Sequence, residues 1–360
     1  MASPKKDDKK KDKKAPQVDS AEEALKVIRM KYGEGAIIHG DMTVKNIESI
    51  STGSMGLDLA IGIGGLPRGR ICELFGAEGC GKTTIALETV ACAQRHGGRA
   101  AYIDVEHALD FQYAQKLGVD VKGLFISQPD SMEEALGIAE ILCQSKSFDV
   151  LVVDSVAALV PKAELNGEMG EQHIGLQPRI MSQALRKIKG IVNTSHTLAL
   201  FINQLRQKVG SFMGSPDVTP GGRALKFYAS VRIDMRRISA VKDDGADEAP
   251  TGHLVRAKVV KNKVAPPFRI AEFEVTYNGM GVNKEAEIIE FGIKCGVLTK
   301  SGSWISYGEN RLGNGRANTV QFMRDNPGLV AELREQIIKL KAPMPDRSDG
   351  DEHTEPEMGD

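Results

Sequence analysis

The run Gly76-Ala77-Glu78-Gly79-Cys80-Gly81-Lys82-Thr83 fits the spacing G-x-x-x-x-G-K-[ST], and Thr84 follows it. Residues of these types at this spacing bind phosphate. The glycines let backbone N–H groups turn inward, the lysine reaches the β- and γ-phosphates, and the Thr83 hydroxyl is a ligand for Mg²⁺. A helix starting at this point adds about half a positive charge from its dipole. A glycine-rich turn with an incidental lysine is the bland alternative, and the flanks argue against it. Ile71-Cys72-Glu73-Leu74-Phe75 leads in as a buried strand, and Thr84-Ile85-Ala86-Leu87-Glu88-Thr89-Val90 leads out as a helix. The chain binds a nucleoside triphosphate.

Positioning such a loop takes a sheet. Four apolar runs, Ile71–Phe75, Ala100–Val105, Val150–Val153 and Leu198–Ile202, are each followed by polar residues and a helical pattern. This alternation predicts an α/β fold with a mostly parallel sheet covered on both faces. Ligands of such sheets lie beyond the carboxyl ends of the strands. Asp104 and Glu106 end the second run, Asp154 the third, and Asn203 and Gln204 the fourth. Asp154, in Leu151-Val152-Val153-Asp154-Ser155, is placed to hold the Mg²⁺ shell through water. Ser155 rather than Glu follows it, so the base must come from elsewhere. Glu106 is the best-placed carboxylate to orient an attacking water; its bland reading is a surface acid at a strand end, as that of Gln204 is a strand-terminal hydrogen bonder.

Two long stretches read as loops, from about Glu164 to Pro178 and from Leu205 to Gly222. Loops of this length in a compact domain are commonly functional. Both follow strands at the nucleotide edge, so both can respond to the γ-phosphate. Arg179, Arg186, Arg206, Lys208 and Arg223 lie in or beside them, a local basic patch next to an acidic first loop; spacing alone leaves a nucleic-acid site open. The net charge of −1 excludes a global basic field. The 5 cysteines show no pairing pattern, and neither a signal peptide nor a run of 18 apolar residues is present. A reducing cytoplasm and no membrane partner are expected.

The domains read as a charged tail over 1–17, a helix and extended stretch over 18–49, the nucleotide core over 50–280, a small α/β domain over 281–341 and an acidic tail over 342–360. Ser20 with Glu23 forms a capping-box pattern for a helix to Tyr32. Whether that helix packs on its own core or on a neighbouring subunit is open from the residues.

Glu78 to Thr84 resembles the phosphate loop of the bacterial RecA recombinase family, although serine is usual where Cys80 stands. Ala108-Leu109-Asp110, Phe201-Ile202-Asn203-Gln204, Ala224-Leu225-Lys226-Phe227-Tyr228-Ala229-Ser230-Val231-Arg232 and Val259-Val260-Lys261-Asn262-Lys263 resemble it too, and the likeness runs from about Val18 to Leu340. The resemblance implies a RecA-type ATPase core that binds ATP and Mg²⁺. It implies a helical homo-oligomer on single-stranded DNA that pairs with double-stranded DNA, exchanges strands and promotes self-cleavage of the SOS repressor LexA. By matched position, Glu106 activates water and Gln204 couples the γ-phosphate to the second loop, Asp110 and Tyr113 border the adenine, and Lys261 and Lys263 reach a neighbouring subunit's γ-phosphate. Ile174 and Val209 insert between base triplets, Arg179, Arg186 and Arg206 lie on phosphates, and Lys208, Gly221 and Gly222 complete the DNA site. The N-terminal helix packs on the next protomer, and the C-terminal domain guides incoming duplex. No role follows for Phe212 and Met213, whose order in the second loop differs from the usual one. A hexameric helicase would need a helical N-terminal domain that residues 1–45 do not supply, and a metabolic kinase would hydrolyse ATP without regard to DNA.

Overall fold

The computed structural model describes residues 20–37, 47–168, 170–171, 173–207, 217–242 and 249–340. Both charged tails lie outside the described residues, as do Val44 of the extended stretch, and Lys208, Val209, Phe212 and Met213 of the second loop.

The chain forms two units divided after Asn46. In the first, α1 spans Ala21–Tyr32. The Ser20 hydroxyl accepts from the Glu23 N–H at 3.2 Å, and Gly33 at φ +96° ends the helix.

The second unit begins with β1 (Ser49–Ile50), α2 (Met55–Ile61), β2 (Leu66–Pro67), β3 (Ile71–Gly76), α3 (Lys82–Arg95), β4 (Ala100–Asp104), α4 (Phe111–Lys116), β5 (Leu124–Ser127), α5 (Met132–Gln144) and β6 (Val150–Asp154). It continues through α6 (Lys162–Asn166), α7 (Leu176–Ser195), β7 (Leu198–Gln204), β8 (Arg206–Gln207), β9 (Asp217–Val218), α8 (Ala224–Tyr228), β10 (Val231–Val241), β11 (Gly252–Asn262), β12 (Ile270–Thr276) and β13 (Gly281–Val282). Nine strands form one sheet in the order β13-β12-β11-β10-β3-β7-β6-β4-β5. From β10 to β5 every pair is parallel, and from β10 outward to β13 every pair is antiparallel. The mostly parallel α/β sheet expected from the apolar runs is therefore present, extended by an antiparallel wing.

Side-chain alternation explains why those runs are continuous. Leu198, Leu200 and Ile202 of β7 pack in one core with Ile85, Leu87 and Val90 of α3. Ala199 and Phe201, pointing the other way, pack with Met132 and Leu136 of α5 and Met181, Leu185 and Ile188 of α7. With helices on both faces a polar residue inside a strand must be paired, as Glu73 of β3 is with Arg232, and each such Leu or Ile contributes about 1.5–3 kcal/mol by burial. Among the described residues, no helix is long and apolar enough to cross a membrane.

The chain ends in α9 (Lys284–Lys294), the antiparallel hairpins β14 (Thr299–Ser301), β15 (Trp304–Tyr307) and β16 (Asn310–Asn314), then α10 (Arg316–Asp325) and α11 (Pro327–Lys339). Ile288, Ile289, Phe291, Leu298, Ile305, Met323, Leu333 and Ile337 close a separate core around Met55 of α2. Glu287 fastens this part to α2: it accepts from the Ser54 hydroxyl at 2.7 Å, the Gly56 N–H at 3.0 Å and the Met55 N–H at 3.1 Å. The two N–H groups are orphan donors of a helix start. Burial nevertheless pushes Glu287 up to about 7, and Asp58 nearby up to about 6. A folded value above the unfolded one of 4.5 means that the stability Glu287 contributes is fullest below about 4.5 and is lost as pH rises through about 7. The stability difference between wild type and Glu287→Gln, read by urea unfolding, is expected to move by up to about 3 kcal/mol against the wild type from pH 4.5 to pH 8. A difference independent of pH would place Glu287 at an ordinary carboxylate value.

Candidate nucleotide site and adjoining loops

β3 delivers the chain to the phosphate loop at Gly76. A Cβ there would stand 2.1 Å from the Met235 carbonyl of β10, so only glycine lets the two backbones meet. Ala77, Glu78 and Gly79 form the exposed outer turn, and Gly81 leads into α3. The Lys82 ammonium is held over the loop by the carbonyls of Gly76 at 3.0 Å and Ala77 at 2.6 Å. Cys80 is buried beneath it, with its sulfur 3.8 Å from Lys82 Nζ. Burial pushes the Cys80 thiol up against the pull of Lys82, so it packs as a protonated filler.

Facing the loop is a group of acids. Asp104 and Asp154 stand opposite each other at the ends of β4 and β6. Asp154 Oδ2 accepts from the Thr83 hydroxyl at 2.9 Å and the Tyr102 hydroxyl at 2.6 Å. Asp104 is occupied otherwise, accepting from Gln128 Nε2 at 2.9 Å and the N–H groups of Ala108 and Leu109 at 3.2 Å each. Glu106 Oε1 accepts from Ser155 Oγ at 2.5 Å and Gln204 Nε2 at 3.0 Å. Burial pushes the Asp154 carboxyl up, and Glu106 and Asp104 push it further. Clustered acids on one side, with a lysine and helix-start N–H groups on the other, match a cation-bound polyphosphate: the cation relieves the acids, and the phosphates take the lysine. Thr83 and Asp154 offer the hard oxygen donors that Mg²⁺ takes beside phosphate. The residues fit the group.

On the other side of α3 lies the nucleoside-sized space. Asp110 caps α4, accepting from the N–H groups of Gln112 at 2.8 Å and Tyr113 at 3.0 Å. That cap fixes Tyr113, whose hydroxyl shares a 2.8 Å hydrogen bond with Thr84 Oγ1. A cavity of about 360 Å³ opens here, running from Gly79, Lys82 and Thr83 past Tyr113 to His253 and Tyr277. The last two were not legible as site residues. They reach the pocket only because β10 pairs with β3 and brings β11 and β12 alongside, and no local spacing announces that pairing.

Lys261 and Lys263 are not brought to this pocket. Arg232 pairs with both Lys261 and Glu73, and the Lys263 N–H binds the Ser230 carbonyl level with Ile71. Both lysines therefore lie toward the amino end of β3, roughly three to five residues, or about 10–16 Å, from Gly76 along the strand. The Lys261 ammonium donates to the carbonyls of Lys226 at 2.5 Å and Phe227 at 3.0 Å, and burial lowers its pKa.

The first loop, expected from about Glu164 to Pro178, is shorter than that, because α6 runs to Asn166 and α7 starts at Leu176; within it Ile174 is 88% exposed just before α7. Arg179 and Arg186, seven residues apart on α7, are both exposed and share a face. Arg206 lies in the β8–β9 hairpin at the base of the second loop. The two loop bases are fastened together. Gln177 donates to the Leu159 carbonyl at 2.9 Å and accepts from the Gly221 N–H at 3.4 Å, and a Cβ on Gly222 would meet Pro178 at 2.8 Å. The hairpin is tied back to the phosphate loop as well, since the Leu205 N–H donates to the Gly76 carbonyl at 3.2 Å.

Comparison with known proteins identifies the family. Residues 19–283 match the family profile of the RecA N-terminal domain, and residues 286–341 that of the RecA C-terminal domain. The chain is 57% identical over 321 residues to Protein RecA of Paenarthrobacter aurescens (strain TC1), covering 89% of this chain and 91% of that one. It is 54% identical over 325 residues to Protein RecA of Clostridium tetani (strain Massachusetts / E88), covering 90% and 91%. Two domain families matched in order along nearly the whole length, on a core that carries the phosphate loop at the carboxyl edge of a parallel sheet, make this chain a member of the RecA recombinase family.

Proposed function

We propose that this chain is a DNA-dependent ATPase that assembles as a helical filament on single-stranded DNA, pairs it with homologous duplex, exchanges strands, and promotes self-cleavage of the LexA repressor in the cytoplasm. The observation that carries this reading is the shared oxygen of Glu106. Gln204 donates to it from the strand end that runs directly into the second loop, through Leu205 and Arg206. One hydrogen bond thus joins the candidate water-orienting acid to the candidate DNA loop. In this reading Lys82 and the loop N–H groups hold the phosphates, Thr83 and, through water, Asp154 hold Mg²⁺, and Tyr113 and Asp110 border the adenine. Mg²⁺ supplies neutralisation of phosphate charge. Lys261 and Lys263, at the opposite end of the strands from their own phosphate loop, serve the nucleotide of an adjoining protomer. Ile174, Arg179, Arg186, Arg206, Lys208, Val209, Gly221 and Gly222 form the primary DNA site. Residues 18–49 dock on the next protomer, and residues 281–341 form the domain that guides duplex.

The test is ATP turnover with and without single-stranded DNA; turnover indifferent to DNA overturns the reading. DNA affinity is also expected to fall steeply with salt, because phosphate contacts release counterions. Removing Arg179 or Arg206 is expected to flatten the log–log salt slope by about 0.7 per lost contact. Both variants keeping the full slope would make these arginines bystanders.

A further inference from the structure

His253 is the second residue of β11, after Gly252, and its side chain is buried, with 4% of the residue exposed. Neither ring nitrogen has a hydrogen-bond partner among the described residues. Buried polar groups are paired in the great majority of cases, and an unpaired one costs about 1–3 kcal/mol. Two such atoms on one residue, on the wall of a cavity, point to a bound ligand as their partner. The ring lies on the wall of the nucleotide cavity, beside Tyr277, with centroids 5.4 Å apart and planes tilted by 36°.

Its place along the strand says which part of a nucleotide it meets. His253 pairs with Val275 across β12, and Val255 is two residues further on the same face. A Cβ on Gly81 would touch Val275 at 3.3 Å and Val255 at 4.0 Å. The imidazole therefore stands level with Val275, the closest contact of the antiparallel wing on the start of α3, and one strand repeat, ~6.8 Å, from Val255. The acids that face the γ-phosphate side, Glu106 just beyond β4 and Asp154 at the end of β6, lie across β3. A triphosphate held at Lys82 with its reacting end toward those acids runs its nucleoside the other way, toward Tyr113, Tyr277 and His253. Two other polar groups on that wall are already engaged: Tyr113 with Thr84, and Thr276 with the Gly281 carbonyl at 3.1 Å. Burial and the nearby Arg237 lower the pKa of His253 and favour the neutral ring, with one donor and one acceptor.

We propose that His253 is a base-reading residue of the nucleotide pocket, hydrogen-bonding the adenine of ATP through a ring nitrogen. The proposal rests on the ATP reading above and deepens it. The test is competition against a fluorescent ADP on the full chain with Mg²⁺, comparing ATP with ribose 5′-triphosphate, which keeps sugar and phosphates and lacks the base. His253→Phe keeps the volume and the contact with Tyr277 and loses both nitrogens. It is expected to weaken ATP roughly five- to tenfold, the worth of one net hydrogen bond, and to leave ribose 5′-triphosphate unchanged, which also reports an intact fold. His253→Gln, which returns a donor and an acceptor, is expected to recover part of the loss. Unchanged ATP affinity in His253→Phe, no recovery in His253→Gln, or equal weakening of both ligands overturns the proposal. Failure of the wild type to bind ATP at all overturns the ATP reading itself.

Discussion

Glu106→Gln is expected to slow ATP hydrolysis by roughly 10²–10⁴-fold, the usual worth of a positioned general base, while ATP affinity stays within a few-fold of wild type. The separation follows from where the residue sits. Lys82 and Thr83 grip phosphate and cation from the loop and the first turn of α3, and neither touches Glu106 in the described contacts. Glu106 is held by Ser155 and Gln204, both on the same oxygen, so Oε2 has no protein partner among the described residues. An oxygen fixed through its neighbour and otherwise uncommitted is the arrangement needed to align a water. The amide of glutamine keeps the size and polarity but is far too weak a base to take a proton. Steady-state turnover with DNA present, alongside equilibrium nucleotide binding, reads both quantities. Turnover at the wild-type rate would remove Glu106 from the chemistry. A parallel loss of binding would instead assign it to the grip on the nucleotide.

How much of this was legible in the residues follows from how local each signal is. The phosphate loop and the acids at Asp104, Glu106 and Asp154 could be read because each follows a strand buried on both faces, whose run is apolar apart from the ion-paired Glu73 of β3, so that the polar residues beyond it mark the exit. β5 escaped because it is an edge strand: Phe125 is 54% exposed and Ile126 37%, so its four residues give neither alternation nor a long apolar run. His253 and Tyr277 escaped for a different reason. They are about 170 residues or more beyond the loop they adjoin, and only the parallel pairing of Val231–Met235 with Cys72–Gly76 brings their strands into place. Lys261 and Lys263 show the reverse case. Their spacing carries no hint of nucleotide chemistry, the family resemblance supplies it, and the register puts them away from their own phosphate loop.

Arg232→Met is expected to destabilise the fold by about 3–5 kcal/mol, the cost of leaving a buried charge without its partner. Glu73 lies in the middle of β3 with its side chain fully buried, and only 11% of the Arg232 side chain is exposed. Arg232 Nε donates to Glu73 Oε2 at 2.5 Å, and Asn203 Nδ2 donates to Oε1 at 3.0 Å. The guanidinium also stacks over Phe75, 4.5 Å from the ring centre. Methionine fills much of the same length of side chain but carries no donor, so Glu73 would keep one neutral hydrogen bond against its whole desolvation cost. The same logic gives a second, opposite expectation. Glu73→Leu with Arg232→Met removes charge and counter-charge together, and the double variant is expected to lie near the wild type or above it, because apolar residues of similar volume replace buried pairs with little loss. The four-cornered cycle, measured by urea unfolding, isolates the coupling of the pair. If the single and double variants lost the same stability, the pair would not be the source, and packing around Phe75 would be. The pair also braces the site: Glu73 stands three residues before Gly76, and Asn203, which accepts from the Gln204 N–H at 3.0 Å, directly precedes the residue that holds Glu106. Nucleotide turnover in the double variant, once its stability is matched to the wild type, therefore tests whether the buried charges position Gln204 or only hold the sheet together. Turnover lowered with stability restored assigns the pair to positioning, and turnover restored with stability assigns it to the sheet alone.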